Sequence, residues 1–61
     1  MEALKTYRKL AGISQAELAR RCDCSQPTIS DIENGKLWPT RELLERLTKV
    51  TGFSADRLLS N

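Results

Sequence analysis

Histidine is missing altogether from this 61-residue chain, and cysteine occurs only twice. Without histidine, no side chain titrates near neutrality at its ordinary pKa, and no imidazole can serve as a general base or metal ligand. The two cysteines, Cys22 and Cys24, stand in the spacing C-x-C. Residues two apart point away from each other on a helix, and a disulfide closed across one residue is strained. A zinc site wants four ligands, and no further thiol or imidazole exists. The pair therefore reads as two free thiols used as small apolar side chains. No apolar run exceeds two residues, which excludes a transmembrane span and a secretory core segment. The expected location is the cytoplasm. There is no Gly-rich phosphate loop and no nucleophile–base pair, so neither an enzyme nor a cofactor, metal or small-molecule site is expected.

What is present suits a small folded domain. Apolar residues make up 39% and charged residues 30%, a balance that supports one compact core rather than disorder. Residues 1–61 are read as a single domain. Ten basic and eight acidic side chains give a net charge of +2. That mild excess permits nucleic-acid binding without demanding it, so the distribution of charge must decide.

Periodicity is helical throughout, with no useful alternation of period two. Leu4, Tyr7, Leu10 and Ala11 are read as one face of a first helix ending at Gly12. Ser14, with Glu17 three residues on, reads as the capping box of a second helix whose inner face is Leu18, Ala19 and Cys22. Ser25 caps a third helix with Pro27 in its first turn, Ile29 and Ile32 inward and Gly35 as its stop. Thr40 caps a fourth with Leu43, Leu44, Leu47 and Val50 inward, up to Gly52. Ser54 caps a short fifth carrying Leu58 and Leu59. The expected fold is all-α, five short helices around one core.

Between Cys22 and Ser25 only Asp23 and Cys24 can turn the chain. So short a connection crosses two helices steeply instead of folding them into a hairpin. It needs a small residue at the crossing, which Ala19 supplies. It also needs a residue tolerant of left-handed backbone, and Asp23 is one of the few non-glycine types that qualifies. This combination is the pattern of a helix-turn-helix, placed at residues 15–34.

The stretch "ISQAELARRCDCSQPTISDIENGK" resembles the Cro and lambdoid-repressor proteins, the XRE-type helix-turn-helix family. The likeness extends through "ALKTYRKLAGISQAELA" before it, and through Pro39, the Leu-rich helix and "GFSADRLLSN" after it. It implies a lambda-repressor-like domain that binds double-stranded DNA and regulates transcription. The reading preferred is a Cro-like repressor, of phage type, on a palindromic operator, held to the nucleoid by its DNA. Two alternatives stand: the N-terminal DNA-binding part of a longer repressor, or an antitoxin-type regulator with a protein partner. Two departures from the family pattern are Asp23, where glycine is usual, and "KLWP", where basic and polar residues are more common.

In such folds the third helix enters the major groove. The expected base contacts are Gln26, Pro27, Thr28, Ser30 and Asp31. Gln26 suits adenine, Pro27 and Thr28 suit a thymine methyl, and Asp31 can accept from a cytosine amino group. The resemblance implies phosphate contacts from Gln15, Ser25, Asn34, Lys36 and Arg41, and a structural ion pair between Arg8 and Glu33. It also implies a homodimer, formed at least on DNA, with Leu37, Trp38, Leu58 and Leu59 at the subunit contact. For Trp38 a second reading stays open, closure of the core over the fourth helix.

Overall fold

The structure is a computed structural model that describes residues 1–60. Residue 61, counted in the single expected domain, lies outside the described residues. The described residues form five helices and no strand: α1 (Glu2–Ala11), α2 (Gln15–Arg21), α3 (Gln26–Glu33), α4 (Arg41–Thr51) and α5 (Ala55–Leu59). The all-α, five-helix expectation holds.

Four of the five starts follow from local chemistry. The hydroxyls of Ser14, Ser25, Thr40 and Ser54 each accept the backbone N–H three residues on, from Glu17, Thr28, Leu43 and Arg57. Each such cap contributes about 1 kcal/mol to a helix too short to persist alone. Only half of the expected capping box forms at Ser14. The Glu17 carboxylate does not reach back; it accepts instead from Arg20 at 3.0 and 2.6 Å and from Arg21 at 2.8 Å. Those two guanidinium groups, Arg20 first, hold the Glu17 carboxyl at about 2.

The core comprises Leu4, Leu18, Ala19, Cys22, Ile29, Ile32, Leu43, Leu47 and Leu58. Every helix contributes to it, and α2 and α3 pack most extensively on each other. One expected face is corrected. Leu10 is 81% exposed, because a residue six positions after Leu4 lies about 120° round the helix from it. Ala11 is exposed as well, at the end of the helix beyond the core. Tyr7 and Phe53 pack edge to face with ring centroids 6.0 Å apart, and the Arg57 guanidinium lies over the Phe53 ring, 4.0 Å from its centroid. This stack closes the junction of α1 and α5.

The turn after α2 sets the path of α3. Asp23 adopts φ 56°, in the left-handed region. Its N–H bonds Arg20 O at 3.2 Å and the Cys24 N–H bonds Ala19 O at 2.9 Å, the paired bonds of a Schellman ending. The same pair closes α3 around Gly35, from Gly35 N–H to Ile32 O and from Lys36 N–H to Asp31 O. Cys22 lies in the core at the end of α2, and the reversal at Asp23 leaves Cys24 packed against that core, both as free thiols. An L-residue is strained at this φ, and glycine is not. Asp23→Gly should therefore raise the unfolding free energy by a few tenths to about 1 kcal/mol, after the added flexibility of the unfolded chain is subtracted. Urea unfolding of the two proteins checks this, and an equal or lower midpoint for the glycine variant would contradict it.

Candidate nucleic-acid interface

The outer face of α3 follows from what faces inward. Ile29 and Ile32 are buried, so the helical period turns Pro27, Ser30, Asp31 and Asn34 to the outside, with Gln26 at its leading edge. Gln26, Pro27, Asp31 and Asn34 are exposed. Ser30 is half-buried, with a long 3.5 Å contact from the Asn34 amide. Thr28 is half-buried and its hydroxyl lies 2.8 Å from that of Ser25, so its polar end turns toward the cap and leaves its methyl for apolar contact. The first turn of α3 carries no acidic residue, so its free N–H groups face an approaching anion without a competing carboxylate.

The expected phosphate ligands differ in how free their side chains are. Ser25 is exposed, and when the Thr28 hydroxyl donates to it, its own O–H is free for an acceptor. Asn34 and Lys36 stand exposed at the far end of α3. Arg41 opens α4 with its side chain 4.0 Å from Glu45 and almost fully in water, a pairing too loose to hold it. Gln15 is different. It is half-buried, and its amide N–H donates to Glu33 Oε1 at 3.1 Å.

Glu33 is the centre of that contact. Its side chain is 1% exposed and accepts from Arg8 through Nε at 2.8 Å and Nη2 at 3.2 Å, a two-pronged pair across the end of α3. Arg8 also lies 3.4 Å from Ile13 O. The ion pair expected from the sequence is present, and Gln15 joins it. Burial alone would raise the Glu33 carboxyl. The hydrogen bonds from Arg8 and Gln15, with the charges of Arg8 and Lys5, outweigh burial and hold it below its ordinary value. The N-terminal ammonium of Met1 adds two bonds at the same helix end, to Ile32 O at 2.9 Å and Glu33 O at 3.2 Å. Sequence reasoning had no signal for that contact.

On another side, Leu37, Trp38 and Leu59 are exposed around a cavity of about 160 Å³ that also meets Met1 and Ile32. Trp38 is 70% exposed, so it does not close the core. Leu58, grouped with the subunit contact in the sequence, is corrected: it is fully buried. Neighbouring positions on a helix diverge by about 100°, so Leu58 and Leu59 do not share a face. The thiol of Cys22 is inert at neutral pH. Burial, then the neighbouring Cys24, push it up to about 11 against an opposing effect of Arg46.

Removing one partner of a buried pair strands the other, at a cost of about 3–5 kcal/mol, whereas exposed pairs contribute little. Arg8→Ala should thus cost about 3 kcal/mol or more, and Arg20→Ala, in an exposed pair, far less, by urea unfolding at neutral pH. Because the Glu33 carboxyl is depressed in the folded state, its stabilisation is present above about pH 4.5, the ordinary value, and is lost as pH falls through the folded value. The gap between wild type and Arg8→Ala should narrow across that acid range. A constant gap would contradict the assignment.

The helix-turn-helix family matches residues 4–58, nearly the whole chain. Among curated proteins, an uncharacterised HTH-type transcriptional regulator of Methanocaldococcus jannaschii is 36% identical over 53 residues, covering 87% of this chain and 80% of that protein. No solved structure matches the chain. With the match spanning all five helices and the two helices joined by the Asp23 turn, the chain belongs to the helix-turn-helix family of the XRE type.

Proposed function

We propose that this protein is a sequence-specific, double-stranded DNA-binding regulator of transcription that acts as a dimer on a palindromic operator, in the manner of a Cro-like repressor. The observation that supports this reading is the outer face of α3: exposed, acid-free in its first turn, and braced at both ends by Schellman turns and the Arg8–Glu33–Gln15 cluster. α3 lies in the major groove, with Gln26 and Pro27 nearest the base edges and Ser30 and Asp31 behind them. Gln15, Ser25, Asn34, Lys36 and Arg41 fix the register on phosphates without reading sequence. The matched relative is named a transcriptional regulator, which agrees with this function.

One such module buries too little surface for tight specific binding, so two copies act together. Leu37, Trp38 and Leu59 form the subunit contact, with an exposed tryptophan as its anchor. Half-sites then lie about one helical turn, roughly 34 Å, apart. The same exposed apolar group also suits a protein partner of another kind, as in an antitoxin-type regulator. That reading predicts DNA binding only when the partner is present.

Selection from random duplex DNA should return a palindrome. Of the five phosphate ligands only Lys36 and Arg41 are cationic, four charges per dimer, so log affinity should fall with log salt at a slope of about −3 to −4. Asp31→Asn should erase a preference for C at one position of each half-site, about 1–3 kcal/mol. It should also strengthen binding to unrelated DNA, because a carboxylate facing phosphates is removed. Unchanged base preference in the variant would reject the Asp31 contact.

Trp38→Ala should leave the fold within about 0.5 kcal/mol, as for other exposed positions. It should weaken dimer-dependent operator binding by about 2 kcal/mol. Sedimentation and operator titration distinguish the outcomes: an unfolded variant, or one with full cooperativity, would remove Trp38 from the contact.

A further inference from the structure

We propose that Glu33, a residue too buried to touch DNA, positions the phosphate contact made by Gln15. The proposal rests on the DNA-binding reading above and deepens it. A glutamine side chain is flexible, and fixing it in one geometry costs rotamer freedom. In this fold that cost is met before any DNA arrives. Glu33 Oε1 accepts from the Gln15 amide at 3.1 Å and from Arg8 Nη2 at 3.2 Å, while Oε2 accepts from Arg8 Nε at 2.8 Å.

The chemistry also fixes which way the amide faces. A carboxylate accepts only, so the NH2 end of Gln15, not its carbonyl, must point at Glu33. A primary amide nitrogen has two hydrogens. One is held by Glu33; the second is free to donate to a phosphate oxygen from the half-exposed side of Gln15. With the acceptor removed, the amide would rotate freely and present its carbonyl to the phosphate as readily as its N–H. Arg8 is part of the device because it keeps Glu33 ionised and in place.

The test must separate positioning from simple loss of fold. Replacing both partners of a buried ion pair with apolar residues of similar volume is often neutral for stability. The double change Arg8→Met with Glu33→Met therefore removes the anchor while sparing the fold, which thermal unfolding verifies. Operator affinity is measured for four proteins: wild type, Gln15→Ala, the Met pair, and all three changes together. Gln15→Ala should lose about tenfold in affinity, the scale of one hydrogen bond to a charged group. The Met pair should lose severalfold when Gln15 is present and nothing further when Gln15 is already alanine. Equal losses in the two backgrounds, or no loss in either, would overturn the positioning role.

Should the Met pair fail to fold, the side-chain amide resonances of Gln15 in the wild-type protein carry the test. One proton should be shifted downfield and slow to exchange before DNA is added, and the other should move on titration with operator duplex. Two equivalent, freely exchanging protons would overturn the proposal. A wild-type protein that selects no duplex at all overturns the DNA-binding reading itself, and this proposal with it.

Discussion

The direction in which α3 leaves α2 depends on one residue held left-handed. Asp23, at φ 56°, ends one helix with two carbonyl-satisfying bonds and aims the next across it. Without that reversal, Ile29 and Ile32 would not meet Leu18 and Ala19, and the polar face of α3 would have no fixed orientation. The reversal also explains the two thiols. Residues two apart on a helix diverge, but a left-handed residue between them returns both to the same side. Cys22 and Cys24 thus serve as packing, with burial keeping Cys22 protonated.

The far end of α3 is held differently, by charge. A domain of this length has a total stability of about 3–9 kcal/mol, so a single buried ion pair is large on that scale. Arg8–Glu33 need not be a net gain over an apolar pair of equal volume. Its value lies in geometry: it ties α1 to the last residue of α3 and offers an acceptor to the first residue of α2. Three helices are thereby fixed relative to one another. The contrast with Glu17 is instructive. Its carboxylate binds two guanidinium groups at short distances, yet all three side chains reach water, so salt screens the attraction.

Much of what depends on neighbours in sequence was legible before the structure. The caps at Ser14, Ser25, Thr40 and Ser54 need only a hydroxyl and an N–H three residues on, and all four form. The left-handed turn at Asp23 and the Arg8–Glu33 pair were legible too, the second through family likeness. Misreadings arose where two faces of one helix compete. Leu10 lies about 120° round α1 from Leu4 and stays exposed, while Leu58 and Leu59 are adjacent leucines and only packing decides which of the two turns inward. The bond from Gln15 to Glu33 spans 18 positions and needs α1, α2 and α3 assembled, so no local pattern encodes it. The sequence marks Glu17 as the return arm of a capping box, but two arginines one turn on compete for the same carboxylate.

The charge on the proposed interface is low for a nucleic-acid binder, and that shapes how binding energy is divided. Arg8 is committed to Glu33, Arg20 and Arg21 to Glu17, and Arg57 to Phe53. Of the proposed phosphate ligands only Lys36 and Arg41 are cationic, with Asp31 opposing them. Sequence-independent attraction scales with the number of phosphates neutralised, so the proposed contacts make it weak. In the proposed reading, discrimination rests on neutral donors held in place, such as Gln15, Gln26 and Asn34, and on pairing two modules. A neutral donor that must search for its acceptor loses much of its worth in ordering. Rigid bracing of α3 and of Gln15 is therefore what a charge-poor surface requires, and the buried Glu33 carboxylate provides it without adding an exposed negative charge to the face proposed to meet DNA.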